Sequence, residues 1–187
     1  SEEEYADTLT QLRNKQWRNK AVNDTYEPGS TYKILTLAMA LEEGVVNKNT
    51  TFNCTGSVRV GVETIHCSKR AGHGIQDLTT ATANSCNPSF INMGFRIGAD
   101  TYYDYMDAFG LFEPTGVDLQ GEVAGIPADR ETFVSSDIYV ACYSFGQTFT
   151  VTPLQLIAAQ AACINGGYLY TPYVVEQVQD SSGNIIM

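Results

Sequence analysis

The sequence predicts an α+β domain that is mostly helical, and three observations lead to this fold class. A predicted helix over residues 30–43, which contains the apolar stretch 34–41, lies between Pro28-Gly29 and Gly44, which are typical of a helix start and stop. An alanine-rich helix begins at Thr152-Pro-Leu-Gln155, a capping box with proline at the first helical position. Residues 45–75 are rich in Thr, Asn, Val and Gly, which indicates short strands and loops.

The composition of the chain limits the folds and the partners that are possible. The chain has 187 residues, 43% of them hydrophobic, which suits one globular domain over residues 1–187. Its net charge of −10 argues against nucleic acid as a partner, because nucleic acid attracts basic surfaces. No run approaches the roughly 18 apolar residues of a transmembrane helix, so we expect no membrane span in this sequence.

The first two helices differ in their expected burial. Residues 5–19 place apolar side chains at helical spacing, and Trp17 is expected to anchor this helix by packing. The helix over residues 30–43 is apolar on most of its faces, so we expect it to be central and buried.

Two helices are predicted in the middle of the chain. The first begins near Asp77, a plausible cap, and runs to Ser85. The second has Asn87 as its N-cap and Pro88 at its first helical position, and it ends at Gly98.

Turn-forming residues organise much of the C-terminal half. Asp100 is expected to cap a short helix that ends at Gly110, and the glycines and prolines of residues 111–135 predict an irregular segment. The alanine-rich helix is expected to close at Asn165-Gly-Gly167, and a hairpin is expected around residues 180–184.

Cys54 and Cys67 flank a predicted hairpin over residues 55–66. Three states stay open for these cysteines: a disulfide in an oxidising compartment, unpaired thiols, or zinc binding together with His66 or His73. The chain has no close Cys-x-x-Cys pair, which disfavours the metal. We therefore expect neither a bound metal nor a cofactor.

Ser30 and Lys33 form a Ser-x-x-Lys pair at the start of the apolar helix. Residues three apart face the same way on a helix, and a helix N-terminus favours developing negative charge. A serine hydroxyl becomes a nucleophile when a base takes its proton, and a lysine amine is such a base when burial lowers its pKa. The pair is a candidate acylation site, although a helix cap with a solvated lysine explains the same spacing.

Ser85-Cys-Asn87 is the second chemical signal. A serine hydroxyl beside a lysine amine relays a proton, and an asparagine amide binds a peptide carbonyl. The chain also contains Ser182-Gly-Asn184, which we interpret as a turn.

Five motifs in this order resemble the transpeptidase domain of class B penicillin-binding proteins, of the division or sporulation type of Gram-positive, clostridia-like bacteria. The motifs are residues 28–33, 85–87, 115–122, 144–147, and 152–156 followed by 165–167. The resemblance implies a penicillin-binding protein/β-lactamase-like fold. It also implies a D,D-transpeptidase that cross-links peptidoglycan stem peptides through a serine acyl-enzyme.

The resemblance assigns a role to each candidate residue. Ser30 is implied to be the nucleophile that attacks a stem peptide ending in D-Ala-D-Ala, and β-lactam antibiotics, which mimic that unit, are implied to acylate it. Lys33 takes the proton of Ser30, Ser85 passes a proton towards the leaving group, and Asn87 binds the substrate amide. Division or sporulation proteins are implied partners. The implied location is the extracytoplasmic face of the cell membrane, with the parent protein anchored by an N-terminal helix.

One motif of the family is missing. Neither Lys-Thr-Gly nor Lys-Ser-Gly occurs in this sequence, whereas the family carries it on a strand downstream of the Asn-Gly-Gly segment. We therefore expect residues 1–187 to be a partial domain, the helical subdomain without much of the central sheet, with impaired activity. The alternative is a non-catalytic domain that senses penicillin or serves as a scaffold in a cell-wall complex.

Overall fold

The computed structural model describes residues 2–186, which are mostly helical. The helices are α1 (Glu2–Trp17), α2 (Lys20–Asn23), a 3₁₀ helix (Gly29–Tyr32), α3 (Lys33–Glu42), α4 (Leu78–Ala83), α5 (Asn87–Ile97), α6 (Ala99–Ala108), α7 (Arg130–Val134), α8 (Asp137–Tyr143) and α9 (Pro153–Ala162). The strands are β1 (Thr51–Cys54), β2 (Ser57–Val60), β3 (Glu63–His66) and β4 (Gly74–Asp77). The predicted α+β class with a mostly helical chain is confirmed. Among these residues, no helix combines the length and apolarity needed to cross a bilayer.

The four strands form two small antiparallel sheets. β1 pairs with β4, with Cys54 opposite Gly74 at one end of the ladder. β2 and β3 form the predicted hairpin, with Ser57 opposite His66 at its base. One end of each sheet lies close to the start of α5, because the Asn87 amide donates to the His66 carbonyl and Cys54 Sγ lies within 4.8 Å of Cys86 Sγ.

The core is built around α3 and a set of aromatic rings. Leu35, Met39 and Ala40 of α3 are fully buried, whereas Ile34 and Leu41 are about half exposed. The predicted burial of this helix thus holds for one face. The Tyr143 ring stacks on the Phe149 ring with centroids 4.4 Å apart, which fixes the end of α8 against the strand-like segment that follows it.

α5 and α8 approach each other closely at Gly94. A Cβ atom at this position would lie 1.9 Å from Ser144 Oγ, so only glycine permits the contact. Ser144 Oγ instead donates a hydrogen bond of 2.6 Å to the Val140 carbonyl. The Thr36 hydroxyl of α3 donates a hydrogen bond of 3.1 Å to the Ser144 carbonyl, which joins the end of α8 to α3.

Helix starts differ from the sequence prediction at two positions. Cys86, in extended conformation, is the N-cap of α5, and Asn87 is the first helical residue because its amide is engaged elsewhere. Gly98 precedes α6 and Asp100 lies inside the first turn, where it binds Arg130 of α7. Each correction moves the start of a helix by one or two residues.

Two further expectations fail or hold only in part, and α8 was not predicted. Trp17 is 72% exposed, so it does not anchor α1 by packing, and the Arg13 guanidinium lies over its ring instead. The terminal hairpin is reduced to one bridge between Gln179 and Ile185. α8 was not predicted, because its β-branched and aromatic residues are weak helix formers that tertiary packing holds in place.

Candidate active site

Ser30 lies in the 3₁₀ helix directly before α3, not in the first turn of an α-helix. The Lys33 N–H donates to the Ser30 carbonyl, which closes one 3₁₀ turn between the two residues. Side chains three residues apart eclipse each other in this geometry, so Ser30 and Lys33 lie on the same side. Ser30 is exposed and Lys33 is only 4% exposed. An accessible hydroxyl thus lies one turn from a buried amine.

The segment that carries Ser30 is held by hydrogen bonds to the chain after α8. Tyr26 and Val151 exchange two backbone hydrogen bonds of 3.0 Å, and the Gly29 N–H donates to the Gly146 carbonyl at 2.7 Å. Glu27 Oε1 accepts a hydrogen bond of 2.9 Å from the Thr148 N–H. These contacts fix the turn from both sides of Pro28.

Gly146 permits the closest of these contacts. Its φ of +80° lies in the left-handed region that favours glycine, and a Cβ atom there would lie 2.1 Å from the Gly29 carbonyl oxygen. The backbones of Gly29 and Gly146 therefore touch directly. Residues 144–147 stand out in the sequence as a motif, but nothing in the sequence shows that Gly29 and Gly146 meet.

Lys33 Nζ is surrounded by acceptors from the Ser85–Asn87 segment. It lies 2.7 Å from the Ser85 carbonyl, 2.9 Å from Ser85 Oγ and 2.7 Å from Asn87 Oδ1. These three bonds match the three donors of an ammonium group. The Nζ atom also lies 5.2 Å from the centre of the Phe90 ring, which adds a favourable cation–π contact.

Burial lowers the pKa of Lys33 from 10.5 to about 8, although the Cys67 and Cys86 thiols act in the opposite direction. The cause is the loss of hydration, which disfavours the charged amine. At neutral pH roughly a tenth of the amines are therefore in the neutral form that can accept a proton. Lys33 is thus suited to act as a base.

Ser85 adopts a strained backbone conformation. Its φ is +47°, which is unusual for a residue other than glycine. The Ser85 N–H bonds to the Thr82 carbonyl and the Cys86 N–H to the Ala81 carbonyl, which together form a Schellman ending of α4. That ending prefers glycine, and a serine there costs on the order of 1 kcal/mol. Glycine at this position would relieve the strain but would also remove the hydroxyl.

Asn87 joins Lys33 to the β2–β3 hairpin. Its Oδ1 accepts from Lys33 Nζ, and its Nδ2 donates a hydrogen bond of 3.0 Å to the His66 carbonyl. An amide nitrogen has two donors, so one N–H remains available for a peptide carbonyl. His66 thus contributes through its backbone, a role that its side-chain chemistry does not suggest.

The structure brings Lys33, Ser85 and Asn87 into one hydrogen-bonded group, with Ser30 one turn away. Two acidic residues outside this group, Glu122 and Asp118, bind backbone N–H groups and so have structural roles. Glu122 accepts from the backbone N–H groups of Thr115 and Gly116, and Asp118 accepts from those of Val174 and Val175. The arrangement therefore has a hydroxyl, a buried amine and an amide, which are the groups that serine acyl transfer requires.

Sequence comparison places this chain among known proteins. The family "Penicillin binding protein transpeptidase domain" matches residues 2–185. The chain is 46% identical over 163 residues to "Stage V sporulation protein D" of Bacillus subtilis, covering 86% of this chain and 25% of that protein. It is 31% identical over 169 residues to "Peptidoglycan D,D-transpeptidase FtsI" of Escherichia coli K12, covering 86% and 26%. The chain spans about a quarter of the length of these relatives.

Solved structures share the fold. Penicillin-binding protein 3 from Mycobacterium tuberculosis, complexed with aztreonam, aligns with a TM-score of 0.82 and 29% identity, over 89% of this chain and 37% of that one. The D,D-transpeptidase domain of a peptidoglycan glycosyltransferase from Eggerthella lenta aligns with a TM-score of 0.84 and 26% identity, over 98% and 48%.

Proposed function

This chain belongs to the class B penicillin-binding protein transpeptidase family, and from that premise we propose that it supplies the nucleophilic serine of an active site that cross-links peptidoglycan. The observation that carries the proposal is the contact of the buried Lys33 Nζ, one turn after Ser30, with Ser85 and Asn87. The proposed substrate is a stem peptide ending in D-Ala-D-Ala.

Acylation begins with the neutral form of Lys33. Ser30 Oγ attacks the carbonyl carbon of the penultimate D-Ala while Lys33 Nζ takes the hydroxyl proton. The Ser30 N–H, at a helix start where such groups lack partners, helps to stabilise the oxyanion. The free N–H of Asn87 holds a carbonyl of the substrate.

Collapse of this intermediate forms the acyl-enzyme. The C–N bond to the terminal D-Ala breaks, and Ser85 Oγ relays the proton held by Lys33 Nζ to the leaving amine, which returns Lys33 to its neutral form. The amine of a second stem peptide then attacks the ester, which forms the cross-link and returns a proton to Ser30 Oγ. A β-lactam ring opens on Ser30 by the same first step, but its amine stays tethered to the acyl group.

Covalent labelling by a fluorescent penicillin tests the role of Ser30. In the full-length protein, Ser30→Ala is expected to abolish the label, because no other hydroxyl replaces the nucleophile. Ser182→Ala is the matched control, since Ser182-Gly-Asn184 repeats the Ser-x-Asn pattern in an exposed turn. Label that persists in the Ser30 variant would overturn the proposal.

Two variants of Ser85 separate its chemistry from its backbone strain. Ser85→Ala and Ser85→Gly both remove the hydroxyl, and each is expected to slow acylation by about 10²-fold or more. Glycine adopts a φ of +47° freely, so the glycine variant is expected to be about 1 kcal/mol more stable than the alanine variant. Labelling rates and chemical denaturation measure the two effects. Wild-type rates in both variants would show that the hydroxyl has no role.

We also propose that residues 1–187 form only part of the catalytic domain. The sequence has no Lys-Thr-Gly motif, and the strands among residues 2–186 form only two two-stranded sheets. Tyr26, Ile34 and Ile157 line an exposed apolar groove, and we propose that strands elsewhere in the full-length protein cover it. The isolated chain is therefore expected to label weakly. Stoichiometric labelling of that chain would contradict the partial-domain proposal while leaving the role of Ser30 intact.

The proposed location is the extracytoplasmic face of a bacterial cell membrane, where the peptidoglycan substrate lies, with an anchor outside this chain. Division or sporulation proteins are the proposed partners. The alternative, a penicillin sensor or a scaffold, also predicts a label if Ser30 is kept, but no cross-linked product. Product analysis with stem-peptide donors and acceptors therefore separates the two functions.

A further inference from the structure

Three buried cysteines and one histidine meet beside the Ser85–Asn87 segment. Cys54 ends β1, Cys67 follows β3, His73 precedes β4, and Cys86 is the N-cap of α5. Their ligand atoms all lie within 4.8 Å of one another. We propose that these four side chains bind one zinc ion, which holds the Ser85–Asn87 segment in place.

The distances suit a single tetrahedral ion. Cys67 Sγ lies 3.6 Å from His73 Nδ1 and 4.0 Å from Cys86 Sγ. Zinc bonds of about 2.3 Å to sulfur and 2.0 Å to nitrogen place neighbouring ligand atoms about 3.5 to 3.8 Å apart. Three thiolates and one imidazole are a donor set of structural zinc sites, and four protein ligands leave no open position for catalysis.

The cysteines form a buried cluster of their own. Cys54, Cys67 and Cys86 are 1%, 2% and 0% exposed and are grouped apart from the aliphatic core. A disulfide joins only two of these thiols and gives the third thiol and the His73 ring no role. One metal ion accounts for all four side chains.

The surroundings supply donors to the sulfur atoms. The backbone N–H groups of Lys69 and Asn87 are hydrogen-bond donors to the Cys67 sulfur. Near Cys86, Ser89 Oγ and Gln76 Nε2 are buried and have no other hydrogen-bond partner. A metal-bound thiolate is a stronger acceptor than a thiol, so it gives these donors a partner.

Two glycines bring the ligand-bearing loops together. A Cβ atom at Gly72 would lie 2.3 Å from the Cys54 carbonyl oxygen, and one at Gly56 would lie 2.0 Å from the Arg70 carbonyl oxygen. Both glycines have positive φ values, +80° and +96°. The loops that follow β1 and precede β4 therefore pack backbone against backbone and fix the ligand positions.

The proposed site is distinct from the catalytic group but joined to it. Cys86 lies between Ser85 and Asn87, and Cys67 follows His66, whose carbonyl binds the Asn87 amide. A zinc ion would therefore link the hairpin base, the β1–β4 sheet and the start of α5. Its role is to position residues that contact Lys33 and not to touch the substrate.

Metal content of the chain tests the proposal directly. An untagged chain, purified without a metal-affinity column, is expected to contain about one zinc ion per molecule, as measured by inductively coupled plasma mass spectrometry. Removal of zinc by a chelator is expected to lower the melting temperature, and added zinc is expected to restore it. Cobalt added to the zinc-free chain is expected to give the strong visible bands of tetrahedral thiolate coordination.

Variants locate the ligands. Cys54→Ser, Cys86→Ser and His73→Gln are each expected to lose most of the bound zinc, whereas Cys142→Ser and Cys163→Ser, outside the cluster, are expected to keep it. His73 is only half buried, so its variant tests the site even if the cysteine variants misfold. Absence of zinc together with absence of cobalt bands, a different resident metal, or a disulfide among the three cysteines in peptide mapping would overturn the proposal.

Discussion

Gly146→Ala is expected to reduce penicillin labelling of the full-length protein by about 100-fold or more. The added Cβ atom would lie 2.1 Å from the Gly29 carbonyl oxygen. Because this oxygen belongs to the backbone, no side-chain rotation can relieve the collision, and one of the two chain segments must move. Displacement of a reacting group by about 1 Å costs on the order of 100-fold in rate. We also expect a loss of about 2 to 4 kcal/mol in the free energy of unfolding.

Gly44→Ala is the matched control. Gly44 also follows a helix and has a positive φ, +64°, but a Cβ atom there would meet nothing within 4 Å. It carries the strain of the left-handed region, about 1 kcal/mol, without the collision. Labelling rates and denaturation curves of both variants measure the difference. If Gly146→Ala labels as fast as Gly44→Ala, the backbone contact between Gly29 and Gly146 does not position Ser30.

Lys33→Met is expected to slow acylation by about 10²- to 10⁴-fold, because it removes the proposed base and keeps a side chain of similar length. The Ser85 carbonyl and the Asn87 amide oxygen also lose their donor. Circular dichroism of the variant would show whether the fold is kept. A variant that is folded and still acylates at the wild-type rate would exclude Lys33 as the base.

The pH profile gives a second measure of the same residue. Burial lowers the pKa of Lys33 to about 8, so the neutral amine becomes more abundant as pH rises. We expect the wild-type acylation rate to increase nearly tenfold per pH unit between about 6 and 7 and to level above 8. The slow residual rate of Lys33→Met is expected to lack this step. A flat wild-type profile from pH 6 to 9 would contradict the assignment.

Local patterns were predictable from the sequence, whereas contacts between distant segments were not. The spacing of Ser30 and Lys33 indicated a shared face, and Ser85-Cys-Asn87 stood out as a short motif. The meeting of Gly29 with Gly146 depends on how α8 packs, which no short pattern encodes. The start of α5 was displaced because Asn87 binds Lys33 and His66 and does not cap that helix.

The cysteines show the same limit. Sequence spacing argued against a metal because the chain has no Cys-x-x-Cys pair, and only Cys54 and Cys67 flank the predicted hairpin. The fold brings Cys86 to them from the start of α5 and His73 from the start of β4. All five cysteines are unpaired, so the structure does not contain the Cys54–Cys67 disulfide that the sequence left open.

The hydrogen bonds between the Ser30 turn and the chain after α8 have a consequence for the order of folding. Glu27 and Thr148 lie 121 residues apart in sequence, and Lys33 reaches Ser85 across 52 residues. Contacts at such separations require the closure of long loops, which tends to come after local helices form. The ability of Ser30 to react with penicillin is therefore expected to appear late in refolding, after most of the helical circular dichroism signal has returned. A penicillin label added at intervals would then time the last stage of assembly.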